Sequence, residues 1–281
     1  MSIALTMICR NSAATIRKAV LSALPLVHEA IIVDTGSTDD TLKELKAIKL
    51  AATKPVHILR EKWVDSFSVP RNKALEFARS RGIDFAFVLD ADEEFICDPA
   101  FILELRLKIC KRDSYPFEGY ILEVVNENEH QFTENQEGTL TSCRFFPVHE
   151  NVGYRYRVHN WLCRLDNGAP ILRFFSLPES IYIRHSGYTT AEIKAKKKHE
   201  RTLRLLRKQL EETPDNSLML TYLAREHFLY GEIDEFKEAT KKAIASLKTE
   251  PHKPIAANCK RMLHIMLSEQ KKAEAAAKES A

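Results

Sequence analysis

The sequence has no CxxC pair. Its six cysteines, Cys9, Cys97, Cys110, Cys143, Cys163 and Cys259, are scattered over 281 residues. That excludes a dense disulfide framework and reads as reduced thiols in a cytosol. There is no strong charge of either sign: 42 Lys and Arg against 39 Asp and Glu leave +3. Bulk charge therefore makes no case for nucleic acid. There is no long apolar run. The most apolar window, AVLSALPLVHEAIIV, is broken by Pro25, His28 and Glu29 and is too short to span a bilayer. The start, MSIALTMICR, shows neither a basic leader nor a small-residue cleavage site, so no signal peptide is expected. The expected setting is cytoplasmic, with peripheral contact at the inner face of the membrane left open. The length suits one large domain, or a medium one with an appendage.

What is present is an alternation. Residues 3–9, IALTMIC, read as a buried strand, and residues 13–24 carry Ile16, Val20, Leu21 and Leu24 at helical spacing. EAIIVDTGST gives a second strand ending at Asp34. STDDTLKELKAIK opens a helix, with Ser37, Thr38 and Asp39 as N-cap residues and Leu42, Leu45 and Ile48 on its inner face. Residues 56–61, VHILRE, form a third strand. SVPRNKALEFARSRG is a helix with Arg71 and Asn72 near its start and Gly82 as its stop. FAFVLD is the next strand. This order predicts an α/β fold, a mostly parallel sheet flanked by helices on both faces. Ligand sites in such sheets lie beyond the carboxyl ends of the strands. Asp34 and Asp90, both at strand ends, are expected to share one crevice.

From 119 to 185 the texture changes to short β-like pieces with polar turns, expected to extend the sheet and form the acceptor side of the crevice. After about residue 190 the chain turns helical and charged. AEIKAKKKHERTLRLLRKQLEE is one long helix closed by Thr213-Pro214. Tyr222, Ala224, Gly231 and Ala239 fall near the small and aromatic positions of a tetratricopeptide repeat. The expected division is 1–190 for the α/β domain and 191–281 for a C-terminal α-helical extension, with a homodimer through these helices left open. The tail KKAEAAAKESA is expected to fray.

The chemistry concentrates in FVLDADEEF, Phe87 to Phe95. Two like charges about 4 Å apart repel by roughly 4 kcal/mol at an effective dielectric of ~20, so Asp90, Asp92, Glu93 and Glu94 need an offset. A solvated acidic turn fits poorly directly after an apolar strand. An EF-hand loop from Asp90 fails, because its sixth position is Phe95 and its twelfth Phe101. A DxDx(T/V) phosphatase is disfavoured, because a glutamate stands where Thr or Val is expected after Asp92-Glu93. A DxD that bridges a hard divalent ion, Mn²⁺ or Mg²⁺, to a diphosphate would offset the charge.

DTGS, Asp34 to Ser37, matches the aspartic-protease signature. That mechanism needs two aspartates sharing a proton. No second DTG exists, and a helix follows at once. Asp34 as an acceptor for a ligand, with Gly36 allowing a tight turn, is the better reading; a plain turn with a helix cap is the alternative. His28, His57, His130, His199 and His252 read as surface residues. His149, His159 and His185 lie among aromatics and arginines, and His185 is a candidate third metal ligand. Lys194, Lys197, Arg201, Arg204 and Lys208 form a stripe opposite Leu203, Leu206 and Leu210. A solvated helix face accounts for it, with an anion-facing stripe as the functional alternative. No aromatics are interleaved, which argues against nucleic acid.

In the order LTMICRN, IIVDTGSTDDT, WVDSFSVPRNKAL, FVLDADEEF, RVHNW, HSGY, then a basic helix and repeat-like helices, the chain closely resembles glycosyltransferase family 2 of the GT-A fold over roughly residues 2–245. The branch it resembles includes bacteriocin S-glycosyltransferases and lipopolysaccharide-core transferases. The resemblance implies inverting transfer from a nucleotide-diphosphate sugar, UDP by family habit, to a glycan, lipopolysaccharide-core or peptide acceptor. It implies that Thr6 and Arg10 lie in the first nucleotide-binding loop and that Asp34 holds base or ribose. Gly36, Asp39 and Ala91 fall in the same nucleotide-sugar motifs. Arg71 and Asn72 would contact base or diphosphate. Asp90 and Asp92 would be the metal-binding DxD, joined by His185.

The resemblance has departures. Arg10-Asn11-Ser12-Ala13 stands where the branch has KNEE, and His159-Asn160 where it has His-Glu. An inverting transfer needs a base on the acceptor. An amide cannot serve, so Glu93, Glu94 and His159 are the catalytic candidates, with Glu150 also available; a thiol acceptor would need less help. Trp161 and Tyr188 are candidates on the acceptor side, with a core role for Trp161 as the alternative. A degenerate GT-A scaffold acting as a binding module is the rival reading, and transfer to modified DNA a remote one.

Overall fold

The computed structural model describes residues 1–110, 118–126, 139–171, 173–185 and 191–279. Tyr188 and His130 lie outside the described residues, as do the side chains of Lys194 and Cys110. The chain divides into two compact units, Met1–Arg155 with Leu162–Thr189, and Tyr156–Trp161 with Thr190–Ala281.

The first unit opens with the expected alternation: β1 (Ile3–Cys9), α1 (Ile16–Ala23), β2 (Glu29–Asp34), α2 (Thr41–Ala51), β3 (Val56–Arg60), α3 (Ser68–Ser80) and β4 (Phe85–Val88). These strands pair in parallel in the order β3-β2-β1-β4. All six residues of β2 are buried, as a strand covered on both faces requires. Then come β5 (Glu93–Ile96), α4 (Ile102–Cys110), β6 (Glu118–Asn126), β7 (Thr139–Pro147), β8 (Val152–Arg155), β9 (Trp161–Arg164), β10 (Arg173–Ser176) and β11 (Tyr182–His185). Of the β-like half, β6, β7, β10 and β11 extend the sheet, whereas β8 and β9 pair as a separate two-stranded sheet. The full order of the large sheet is β3-β2-β1-β4-β7-β6-β11-β5, with β10 also on β6. β7 runs antiparallel to both β4 and β6, whereas β11 is parallel to β6 and antiparallel to β5. The antiparallel return of β7 and β5 brings late residues beside the end of β4. The core is centred on Phe87, whose ring stacks on Phe145 at 4.4 Å and meets Phe95 edge-on at 5.1 Å.

Lys54 secures the turn between α1 and β2. Its Nζ donates to the carbonyls of Leu24, Pro25 and Val27 at 2.6, 3.0 and 2.7 Å, and Arg106 donates to Leu26 and Pro25 beside it. Hydrogen bonds from a charged donor are each worth about 1.5–3 kcal/mol. Lys54→Met is therefore expected to destabilise the fold by about 2 kcal/mol, read from urea denaturation. A change below experimental error would show that Arg106 alone holds the turn.

The second unit holds α5 (Ala191–Glu212), α6 (Ser217–Leu229), α7 (Ile233–Ser246) and α8 (Lys253–Glu279). Asn216 caps α6 by accepting from the Met219 N–H. Gly231, at φ +72°, makes the α6–α7 turn, a conformation that favours glycine. Ala224, Phe236, Ala239, Met262 and Leu263 pack its core. On α5, Leu203 and Leu206 face inward while Lys197, Arg201 and Arg204 are exposed, as an amphipathic helix requires. Two expectations fail here. The tail does not break from the helix before Glu279, because α8 runs through it. His199 is no surface residue: it is buried, stacked on Tyr230 at 3.7 Å, and paired with Glu226 and Glu232 at 3.1 and 3.2 Å. Among the described residues no helix is long and apolar enough to cross a membrane.

Candidate active site

The carboxyl ends of β1, β2 and β4 are adjacent, because Cys9 pairs with Asp34 and Thr6 with Val88 in the parallel register. The loops that leave them are laced together. Asn11, at φ +51°, donates its N–H to Ser37 Oγ at 2.9 Å and accepts from the Thr38 N–H at 2.8 Å. Ser12 N–H donates to Thr41 Oγ1 at 2.7 Å. Asp39 accepts from the backbone of Thr41 at 3.0 Å and of Ala13 at 3.1 Å. Against some desolvation, the Thr41 and Ala13 bonds hold its carboxyl below the ordinary range. Helix α2 begins only at Thr41, so Ser37, Thr38 and Asp39 join loops instead of capping a helix from its first turn.

Several of the residues expected in the nucleotide-sugar motifs make internal hydrogen bonds. Thr6 sits within β1 and not in a loop; it is buried, and its hydroxyl donates to the Phe87 carbonyl at 3.4 Å. Asp34 is 2% exposed, and both its oxygens accept from the Ser37 N–H at 3.0 Å while Oδ1 also accepts from Gly36 at 3.2 Å. The carboxylate thus folds its own turn, in which Gly36 adopts φ +98°. Asn72 bridges α3 to β8, accepting from the Tyr154 N–H at 2.8 Å and donating to its carbonyl at 2.9 Å. Arg10 follows β1 directly and is exposed.

The acidic stretch is not a bare cluster. Arg71, on α3, donates to Asp90 Oδ1 at 2.7 Å and lies 5.5 Å over the Tyr154 ring. Desolvation would raise the Asp90 carboxyl, but the charges of Arg71 and then Arg144 outweigh it and hold it low. Ala91, buried at 7% exposure, turns the chain inward between the aspartates. Asp92 Oδ2 lies 3.4 Å from His185 Nε2, with both side chains partly exposed. That bond, against desolvation, raises the pKa of His185.

Glu93 and Glu94 were expected to supply a base. Successive strand residues point to opposite faces, and each carboxylate finds a cation. Glu93 is 5% exposed and takes a two-pronged bond from Arg144 on β7, at 2.9 and 2.7 Å. Glu94 pairs with Lys18 of α1 at 2.8 Å and with Arg184 at 3.1 Å. Arg144 was not anticipated, for nothing local in CRFFPV marks it.

In the helical unit, the residues Tyr156–Trp161 are held against α5 and α6. Arg157 N–H donates to Gln209 Oε1 at 3.0 Å, and its guanidinium pairs with Glu212. His159, at φ +48°, stacks on Tyr222 at 4.1 Å, and Trp161 Nε1–H donates to the Tyr222 hydroxyl at 3.4 Å. Asn160 donates its side-chain N–H to the Tyr156 carbonyl. A carboxylate there has no proton to donate, so the amide closes a loop. Burial, then the charges of Arg225 and Lys198, push His159 down to about 4. The ring is neutral at pH 7. As pH falls from about 6.5 toward 4, the unfolded chain takes up a proton that the folded ring refuses, so stability drops with acid across that window. His159→Gln is expected to flatten this part of the stability–pH profile, checked by thermal melting at pH 7 and pH 5. An unchanged slope would place the sensitivity elsewhere.

The model of "Glycosyl transferase family 2" matches residues 5–158, more than half of the chain. The chain belongs to glycosyltransferase family 2. Among its relatives is the SPbeta prophage-derived glycosyltransferase SunS of Bacillus subtilis, 27% identical over 245 residues. The match covers 85% of this chain and 52% of that protein, so this family 2 member spans about half the length of that relative. Among solved structures, S. aureus TarS 1-349 superposes with a TM-score of 0.52 at 13% identity, over 88% of this chain and 81% of that one. The same protein in complex with UDP gives 0.50 at 13% identity, over 95% and 87%. At that identity the likeness shows the fold, a GT-A architecture. Among the described residues no three His, Cys, Asp or Glu side chains converge as a metal cluster.

Proposed function

We propose that this family 2 member transfers a sugar, with inversion, from a nucleotide-diphosphate donor to an acceptor, UDP being the favoured nucleotide. The observation that carries this reading is the double pairing at the end of β4. Arg71 meets Asp90 and His185 meets Asp92, where ligands bind in sheets of this kind. The fold shared with a UDP-bound enzyme supports the choice of nucleotide.

A divalent ion fits part of this donor set. Asp92 Oδ2 and His185 Nε2, 3.4 Å apart, are spaced much as neighbouring ligands of one ion with bonds of about 2.1 Å. Asp90 is engaged by Arg71, so Asp92 and His185 would hold the ion and Asp90 would steady Arg71. When bound, Mn²⁺ or Mg²⁺ would supply positive charge to the diphosphate. The chain's own contribution is Arg71, a partly buried cation held in place by Asp90 before any substrate arrives. The acceptor is proposed to be a glycan, a lipopolysaccharide core or a peptide. With Glu93 and Glu94 in ion pairs and an amide at Asn160, an acceptor whose nucleophile ionises readily demands least of this site.

The deciding experiment is nucleotide release from UDP-, GDP-, CMP- and dTDP-sugars, with Mn²⁺ or with EDTA. Slow release from one donor, lost with EDTA, is expected. The rival, a degenerate scaffold, is favoured by Asn160 and by the paired state of both glutamates. Calorimetry separates the two: a donor bound but never turned over, whatever acceptor is offered, would establish the scaffold.

A further inference from the structure

We propose that Arg144 is a positioning residue for this transfer, acting through Glu93 on the turn that presents Asp90 to Arg71 and Asp92 to His185. The inference rests on the glycosyltransferase reading and adds a residue that has no part in it so far. Arg144 lies on β7 just past the registered pair Phe87–Phe145, level with the end of β4. Its side chain is 8% exposed and that of Glu93 is 5% exposed. The guanidinium holds both glutamate oxygens in a fork, at 2.9 and 2.7 Å, a geometry that fixes orientation as well as distance. Glu93 Oε2 then accepts from the backbone N–H of Asp90 at 2.8 Å. The Glu93 N–H returns to the Asp90 carbonyl at 3.1 Å. The four residues Asp90 to Glu93 are therefore closed twice, once through backbone and once through a side chain whose position Arg144 sets. In the β5–β11 register Glu93 also lies opposite His185. Glu93 thus closes the turn that carries both aspartates through its carboxylate and meets the strand that carries the histidine through the β5–β11 pairing.

The physical reason to assign position and not merely stability is the character of such a pair. Two charges taken out of water regain little net stability compared with apolar side chains of the same volume. An apolar pair could fill this space. It could not accept from the Asp90 amide.

The test uses the full chain with UDP-glucose and UDP-N-acetylglucosamine as donors. The first variant replaces the pair together, Arg144→Met with Glu93→Met. It is expected to melt within about 4 °C of the wild type. Hydrogen exchange at the Asp90 amide should rise, and kcat for nucleotide release should fall by about 100-fold, as a misplacement near 1 Å does. Arg144→Lys, which keeps charge but not the fork, should recover part of kcat. A doubly substituted protein that folds and keeps kcat and KM within about twofold, below the reach of a positional effect, would overturn the proposal. Should that protein not fold, Glu93→Gln decides: its single acceptor oxygen cannot serve both the Arg144 fork and the Asp90 amide, so a folded Gln variant with kcat and KM within about twofold would overturn the proposal. If the wild type releases nucleotide from neither of these donors nor any other tested, the transferase reading fails and the proposal with it. That outcome is distinct from an active wild type with indifferent variants.

Discussion

Asp92→Asn is expected to lower nucleotide release in Mn²⁺ by about 10³-fold, the scale of removing a group that organises charge at a leaving group. The melting temperature should stay where it is. Asp92 is 42% exposed and pairs with His185, itself 34% exposed, so little stability depends on the pair. The substitution preserves shape and removes charge. A folded variant with full release would mean that the Asp92–His185 pair has no part in the reaction. The carboxylate–imidazole spacing would then be a surface contact. The release assay and a melt on the same sample separate these outcomes.

Arg71→Met is expected to reduce release by about 10²–10³-fold, the magnitude seen when one preorganised cation or donor is removed from a reacting oxyanion. Here stability moves as well. Arg71 is 17% exposed and Asp90 39%, so the loss should be about 1–2 kcal/mol, less than breaking a fully buried pair. Arg71→Lys restores a charge without the planar reach to both Asp90 and the Tyr154 ring; partial recovery of stability with little recovery of release is the expected pattern. Release kinetics and urea denaturation measure the two effects. Equal losses in the Met and Lys variants would show that guanidinium geometry matters more than charge. No loss in either would remove Arg71 from the site.

Much of the first unit is legible in order along the chain. IALTMIC, EAIIVD and FAFV are mostly apolar because their strands are covered on both faces, and that pattern needs no knowledge of partners. The placing of Asp34 and Asp90 at the same end of the sheet follows from the parallel register of β1 with β2 and β4. What each polar side chain does there was harder to read. Asp34, Thr6 and Asn72 carry the residue types a nucleotide site uses, yet the structure turns all three toward backbone. Short polar side chains near strand ends serve loops and ligands with the same atoms. His199 looked like part of a solvated charged helix, and only α6 and the turn after it bring Glu226 and Glu232 to its ring.

By itself the sequence determined the alternation of strands and helices, the crowding of carboxylates after Val88, and the helical character of everything after residue 190. Hydrophobic period and local charge are properties of neighbouring residues, so they survive without a fold. The tertiary structure decided how that charge is offset. Arg144 reaches Glu93 across 51 positions, His185 reaches Asp92 across 93, and Arg71 reaches Asp90 across 19. Such partners are chosen by strand order and register, in which a shift of one residue turns a side chain to the other face. No window of sequence records that choice.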